Sequence, residues 1–355
     1  MGVWQSEEFD KHEQVCFFSD EATNLRAIVA IHSTTRGPAA GGTRFKSYAS
    51  DDMALDDALR LSRAMSYKSA LAGLPVGGGK AVIIGDPREL KSRELLLAFG
   101  RFIDRIGNVF ATGEDVGFSV ADVETMFEVT PYVGGMSKGA GDPSIHTATG
   151  VLHGLRAVAE FRLGRKSFEG VKVAVQGLGS VGWRVARQLH EAGAELIVAD
   201  IDPEKVTKAQ NDFHALTMET DEIHAAQADI FCPCALGGVI TMTTAPQIRA
   251  HAVAGAANNQ LASPEAGAML AQRNILFAPD YVINAGGVIS GVEAMQNMPG
   301  RKKIDMAPLE DLLESIYGRL LEIFVRSEKE NRTPEAIAQM IAQELIREQP
   351  LEEYA

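Results

Sequence analysis

The stretch VKVAVQGLGSVGWRVARQLHEAGAELIVAD, Val171–Asp200, decides the fold. An apolar run, VKVAVQ, enters a glycine turn, GLGSVG; a helical pattern, WRVARQLHEAGA, follows, and a second apolar run, ELIVAD, ends on an acid. Strand, turn, helix and strand in that order predict a dinucleotide-binding βαβ unit, with Gly177, Gly179 and Gly182 in the G-x-G-x-x-G positions. Gly177 permits the tight turn, Gly179 lets a pyrophosphate approach the backbone, and Gly182 packs helix on strand. The helix start, with Ser180 and Val181, faces the phosphates. Asp200 stands about 23 residues after the first glycine, where a carboxylate accepts hydrogen bonds from ribose hydroxyls and repels a 2′-phosphate. Ile201 flanks it and Asp202 adds to the repulsion, so the expected cofactor is NAD.

Further along, ADIFCPCALGG, AVAGAANNQ and APDYVINAGGVI are apolar runs that end in small and amide residues. In a parallel sheet these are strand ends, where ligands bind. They put Ala235, Asn259 and Asn284 on the nicotinamide side, and Cys234, Leu236 and Ala256 in the same loops as cofactor-binding candidates.

Toward the N-terminus, LAGLPVGGGKAVI (Leu71–Ile83) sets Lys80 behind three consecutive glycines. A phosphate loop would need a glycine at Leu74 and a hydroxyl at Ala81, and has neither. The expectation is a glycine-rich turn into a strand, with the glycines letting a substrate lie close to the backbone beside Lys80. A helix predicted over about 52–71 places Ala58, Leu61, Met65 and Lys68 on one face, so a second lysine ends up beside the same turn.

Composition narrows the class. The 355 residues suit two domains, and 34 basic against 47 acidic residues give a formal charge of −13, which argues against nucleic acid or an anionic membrane as partner. Cys16, Cys232 and Cys234 form neither a disulfide framework nor a zinc pattern, so no metal is expected and the thiols read as buried in a reducing cytoplasm. The runs QVCFF, LRAIVAIHS, AVIIG and VFAT, mixed with helices, predict a first α/β domain whose sheet need not be all parallel. After Pro308, Leu309, Leu312, Leu313, Ile316, Leu320 and Phe324 recur at helical spacing, and Thr333-Pro334 opens a last helix.

Taken together, GPAAGGTRF, RAMSYKSALAGLPVGGGKAVI, TGEDVG, VAVQGLGSVG, FCPCALGG, GAANNQ and PDYVINAGG resemble the glutamate/leucine/phenylalanine/valine dehydrogenase family over nearly the full chain, in its shorter branch acting on nonpolar amino acids. The resemblance implies a substrate domain with a mixed sheet over 1–146, a Rossmann NAD domain over 147–333, a cleft between them, and a helix over about 334–355 packing back on the first domain. It implies a homo-oligomer using an amino acid, its 2-oxo acid and ammonium. It puts the catalytic lysine on Lys80, the catalytic aspartate on Asp115 and the carboxylate-binding lysine on Lys68. Asn259 falls on a carboxylate contact, and Asn284 and Thr147 fall beside the nicotinamide, with His146 standing where a small residue is expected.

Oxidative deamination needs those groups independently of the resemblance: a cation for the carboxylate, a base for water, and a carboxylate to exchange protons with the amine. A desolvated Lys80 near another ammonium would serve as the base. The resemblance lines the side-chain pocket with Ala40, Gly41, Met65, Gly113, Val288 and Gly291, with Gly42 nearby, and no cation among them to receive a γ-carboxylate. Small residues at Ala40, Gly113 and Gly291 enlarge it toward phenylalanine; Val288 and DVGFSVADV are leucine-like. A leucine-type enzyme is expected, with phenylalanine as the alternative. A silent NAD-binding regulator would have lost Lys68, Lys80 or Asp115, and a 2-hydroxy-acid dehydrogenase would not explain the paired lysines.

Overall fold

The computed structural model describes residues 2–135, 142–296 and 305–347. By their contacts these divide into two compact units, Met1–Gly141 with Val288–Ala307 and Ile341–Ala355, and Asp142–Gly287 with Pro308–Met340. The helix expected over 334–355 runs from Pro334 to Arg347, and 348–355 lies outside the described residues.

In the first unit, β1 (Gln14–Asp20), β2 (Leu25–Ser33), β3 (Ala39–Ala40), β4 (Thr43–Lys46), β5 (Gly77–Ile84) and β6 (Phe110–Ala111) form one sheet. Its order is β1-β2-β5-β3-β6, with β4 also on β5. β1–β2 and β2–β5 pair antiparallel while β3 and β4 run parallel to β5, so the sheet is mixed. The long helix α1 (Asp51–Leu71) starts from a Ser50 cap that accepts from the Met53 amide. Strand alternation divides the core. Ile28, Ala30 and Val82 pack on Ala54, Leu55, Ala58 and Leu59 of α1. Ala27, Val29, Ile31, Ala81 and Ile83 pack on Leu95, Phe99 and Ile103 of the helix Arg93–Ile106. A strand buried on both faces reads as the continuous apolar run LRAIVAIHS, with no polar alternation to mark it.

The same alternation puts Lys80, two residues before Val82, on the α1 side of β5. It also corrects the expected glycine turn. Gly77, Gly78 and Gly79 are strand residues, and none has a positive φ. A Cβ on Gly77 would lie 1.9 Å from the Ser33 carbonyl oxygen, one on Gly78 2.0 Å from the Ser66 amide of α1, and one on Gly79 2.6 Å from the Phe110 ring. What approaches these glycines is the protein's own backbone and core, drawing α1 and β2 tightly around the strand that carries Lys80.

The second unit holds β7 (Lys172–Gln176), β8 (Glu195–Ala199), β9 (Leu216–Thr217), β10 (Ile230–Pro233), β11 (Ala252–Val253) and β12 (Leu276–Phe277). They pair in the order β12-β11-β10-β7-β8-β9, every pair parallel. This is the doubly wound Rossmann order, and its switch point lies between β7 and β10. Of the three strand ends expected from the small-residue runs, two follow β10 and β11. The third, DYVI, is a turn of helix after β12 that leads into the helix Gly286–Gln296. In the helix Leu309–Glu330 the residues Leu312, Leu313, Ile316, Leu320, Ile323 and Phe324 are buried. Among the described residues no helix is long and apolar enough to cross a membrane.

Gly78→Ala is expected to destabilise the protein by about 2 kcal/mol or more, because backbone of α1 would have to move. A shift of the urea midpoint to lower concentration checks this; an unchanged midpoint would show that the α1–β5 contact is loose.

Candidate active site

Four charged groups meet on the α1 side of the first sheet. Lys80 is buried to 6 % exposure. Its Nζ lies 3.0 Å from Oδ2 of Asp115, which the loop after β6 supplies. Reciprocal backbone bonds between Asp115 and Phe118, at 3.1 and 2.9 Å, close that loop. The Thr43 amide donates to the Gly113 carbonyl and the Phe45 amide to that of Val116, so the loop runs alongside β4. Gly42 allows this approach: a Cβ there would be 2.5 Å from the Glu114 carbonyl oxygen and 3.0 Å from the Asp115 Cβ.

Arg44 pairs in register with Val82, on the same face as Lys80. Its Nε reaches Asp115 Oδ2 at 2.9 Å and its Nη1 reaches Asp57 Oδ2 at 3.1 Å. Asp57, on α1, also accepts from the Tyr48 hydroxyl at 2.8 Å and from Arg60 at 2.7 Å. Sequence reasoning missed Arg44, Asp57 and Tyr48; the only signal was that Arg44 lies inside the GPAAGGTRF match.

Electrostatics follow from burial. Desolvation lowers the Lys80 pKa; Asp115 opposes that, and Arg44 adds to it. For Asp115, burial pushes upward, but the Lys80 and Arg44 cations outweigh it and hold the carboxylate below its ordinary range. An amine whose pKa is lowered by burial therefore stands against a carboxylate whose pKa is lowered by two cations.

Lys68 lies in the last turn of α1, half-buried, as does Met65 one turn earlier. Gly41 touches the same helix face, since a Cβ on it would come within 3.4 Å of the Met65 side chain. Ala40 and Gly113 are buried. The small size of Gly113 does not enlarge a pocket: a Cβ there would meet the Gly134 carbonyl oxygen at 2.8 Å, so backbone already fills that space. Gly291 differs: outside its own helix backbone, none of the described residues comes within 4 Å of a built Cβ. Val288 and Gly291 are half-buried and three residues apart on the helix Gly286–Gln296.

In the second unit the fit to a dinucleotide is testable from the loop itself. Gly177 has φ +95°, a conformation that favours glycine, and its Cβ would strike Ala235. A Cβ on Gly182 would strike the Gly177 carbonyl oxygen at 2.0 Å. Gly179 caps the helix Ser180–Glu191 and has nothing within 4 Å of a built Cβ, which leaves the helix N-terminus open to an anion. Ser180 is exposed and Val181 half-buried there. The Asp200 carboxylate, past the end of β8, accepts from the Leu178 and Asp202 amides and is thereby fixed next to the glycine loop. Ile201 is 92 % exposed and Leu236 81 %, so both side chains are accessible to a ligand. These residues fit NAD.

Around the other strand ends, the Cys234 amide bonds the Gln176 carbonyl across the switch point. Cys232 is buried, but Cys16 and Cys234 are only half-buried, which corrects the reading of three buried thiols. Asn284 is buried and donates to the Ala256 carbonyl at 3.1 Å and to Oδ1 of Asn258 at 2.7 Å. Asn258 was not singled out from sequence, although it adjoins Asn259. Asn259 itself is exposed, with a left-handed φ of +51°. Thr147 donates back to the Pro143 carbonyl within its helix, and its Oγ1 would contact a Cβ on Gly287. His146 is half-buried one residue earlier.

Two family models match the sequence: the Glu/Leu/Phe/Val dehydrogenase dimerisation domain over residues 12–132, and Glutamate/Leucine/Phenylalanine/Valine dehydrogenase over 196–348. The chain belongs to this family. As a member of the glutamate/leucine/phenylalanine/valine dehydrogenases it is an NAD-dependent amino acid dehydrogenase that carries out oxidative deamination. It is 44% identical to leucine dehydrogenase of Geobacillus stearothermophilus over 338 residues, covering 94% of this chain and 90% of that protein. It is equally 44% identical to valine dehydrogenase of Streptomyces virginiae, over 94% of this chain and 93% of that one. The crystal structure of L-tryptophan dehydrogenase from Nostoc punctiforme superposes with a TM-score of 0.86 at 42% identity, covering 95% of this chain and 96% of the other. Relatives named for aliphatic and aromatic amino acids are thus about equally similar to this family member.

Asp200→Asn is expected to weaken NADH binding about tenfold, in line with the loss of charge-assisted hydrogen bonds, and to narrow the preference over NADPH. Fluorescence titration of the reduced cofactors measures both without turnover; unchanged affinity would remove Asp200 from the ribose site.

Proposed function

We propose that this enzyme deaminates L-amino acids with nonpolar side chains, branched-chain ones foremost, to the 2-oxo acid and ammonium, and runs the reverse reductive amination. The observation that carries the reading is the buried Lys80–Asp115 pair, a lysine with a lowered pKa held against a carboxylate. Lys68 binds the substrate carboxylate, with Asn259 as a second contact. Asp115 holds the substrate ammonium and exchanges its proton; Lys80 and Arg44 both bond its Oδ2, and among the described residues Oδ1 has no hydrogen bond. Bound NAD would supply the acceptor for the hydride leaving the substrate Cα. The neutral Lys80 amine then takes a proton from water as it adds to the iminium carbon, and Asp115 returns a proton to the amine of the carbinolamine. The C–N bond breaks as the carbonyl forms, the hydroxyl proton goes with the departing ammonia as ammonium, and Lys80 gives its proton to solvent. Thr147, Asn284, Ala256 and the loop Cys234–Leu236 serve the nicotinamide side, and Gly177–Gly182 with Asp200 and Ile201 serve the pyrophosphate and adenosine.

Substrate class rests on the pocket positions Ala40, Gly41, Met65, Gly113, Val288 and Gly291. None carries a cation, so a γ-carboxylate would be buried unpaired at high cost. With Gly113 filled by backbone, one reason for an aromatic-sized pocket is gone, which favours leucine and its branched relatives. The open space at Gly291 supports the second reading, phenylalanine or another aromatic amino acid. The dimerisation-domain match supports a homo-oligomer, and the acidic chain with three free cysteines supports a cytoplasmic setting.

NADH formation at mildly alkaline pH with L-leucine, L-valine, L-phenylalanine, L-tryptophan and L-glutamate tests the proposal, beside Lys80→Ala and Gly291→Val. Branched-chain turnover above aromatic turnover is expected, reduced at least about a thousandfold in Lys80→Ala, in keeping with loss of a general base. Gly291→Val should lower aromatic turnover more than aliphatic. Aromatic turnover that dominates and collapses in Gly291→Val would establish the second reading, and glutamate turnover would contradict both.

A further inference from the structure

One carboxylate is enough to bury one lysine, yet Asp115 receives two cations on the same oxygen: Lys80 Nζ at 3.0 Å and Arg44 Nε at 2.9 Å on Oδ2. Arg44 is itself tied down by Asp57 at 3.1 Å, and Asp57 by Tyr48 and Arg60. The side chains of Arg44, Asp57 and Asp115 are 18%, 11% and 23% exposed, so solvent screens this array poorly. Lys46, 4.0 Å from Asp57 and 45% exposed, adds little. Arg88 and Lys91 line a cavity together with Asp115, but each already has its own carboxylate, Asp86 and Asp122. Glu114 beside Asp115 is exposed, and Lys68 is half-buried at the far end of α1.

The second cation matters when Lys80 is neutral. With Arg44 in place, loss of the Lys80 proton leaves Asp115 still paired, and Arg44 still paired with Asp57. Without Arg44 the same loss would strand a buried carboxylate, which is strongly unfavourable, and Lys80 would keep its proton.

We propose that Arg44 is a positioning residue of the deamination reaction: by bridging Asp115 and Asp57 it acts as the standing counter-cation of Asp115, so that Lys80 is free to give up its proton and serve as the base. The inference rests on the roles given above to Lys80 and Asp115. Only Arg44 among the residues of this array joins both carboxylates, and a lysine in its place would supply the charge without the two-point bridge.

The test is the pH dependence of kcat for amino acid oxidation in the wild type, Arg44→Gln and Arg44→Lys. Oxidation requires the neutral Lys80, so activity falls on the acidic side as Lys80 gains its proton. Removing a cation near Lys80 raises its proton affinity, and the acidic limb should move upward by about one pH unit in Arg44→Gln. Arg44→Lys should hold the limb near its wild-type position with a lower kcat, and KM for the amino acid should change less than kcat in both. A limb that stays put in Arg44→Gln would overturn the proposal even if kcat fell, since packing alone would explain the fall. If Arg44→Gln does not fold, Arg44→Met, similar in length and without polar atoms to strand, takes its place.

A second readout separates this inference from the reading beneath it. The rate at which an amine-reactive acylating reagent modifies Lys80, followed by peptide mapping against pH, reports its protonation without turnover. The same upward shift in Arg44→Gln is expected there. Absence of amino acid turnover, or full activity in Lys80→Ala, would refute the reading of the site while the acylation profile still decides whether Arg44 controls Lys80.

Discussion

A lysine taken out of water loses several kcal/mol of hydration, and it remains charged in a fold only where an anion meets it. At Lys80 that anion is Asp115, 3.0 Å away, and much of the first unit serves to bring the two together. Lys80 comes from a central strand, Asp115 from a loop after a two-residue strand, and β4 holds them side by side through backbone bonds to Gly113 and Val116. Three successive glycines let α1, β2 and the Phe110 ring crowd the strand from several sides. The crowding excludes water from the amine, and that exclusion lowers its pKa. Packing and chemistry are thus one problem here: loosening α1 against β5 would rehydrate Lys80 and raise its proton affinity.

The second unit obeys a different constraint. Its parallel sheet leads from the end of β7 into the helix Ser180–Glu191, and the open side of Gly179 leaves the N-terminus of that helix unobstructed among the described residues. Asp200 does two things there. It accepts amides from Leu178 and Asp202, which fixes its carboxylate and ties the glycine loop to the end of β8.

What was legible in the sequence follows from how local each signal is. The stretch Val171–Asp200 carries strand, turn, helix and acid in contiguous order, and the strands and glycine geometry appear where the pattern puts them. The same holds for the periodic helix after Pro308. Lys80 and Asp115 were legible through the family resemblance and the needs of the chemistry. The glycines before Lys80 suggest a turn open to substrate because glycine marks a close approach without saying what approaches, and only the packing identifies Ser33, Ser66 and Phe110. Gly113 is a second case, since its small size does not reveal that the Gly134 carbonyl oxygen stands beside it. Arg44 and Asp57 escaped because their partners are remote in sequence: Arg44 and Asp115 are 71 residues apart, and no periodicity links a strand residue to a loop aspartate.

The most direct measurement is the titration of the Lys80 side chain by NMR in protein carrying 13C at the lysine ε-carbons, with the resonance assigned by its loss in Lys80→Arg. The account predicts a Lys80 signal that titrates below the ordinary lysine range and moves further down in Asp115→Asn, where the carboxylate that favours the ammonium is gone. A Lys80 that titrates with the surface lysines, indifferent to Asp115, would contradict it.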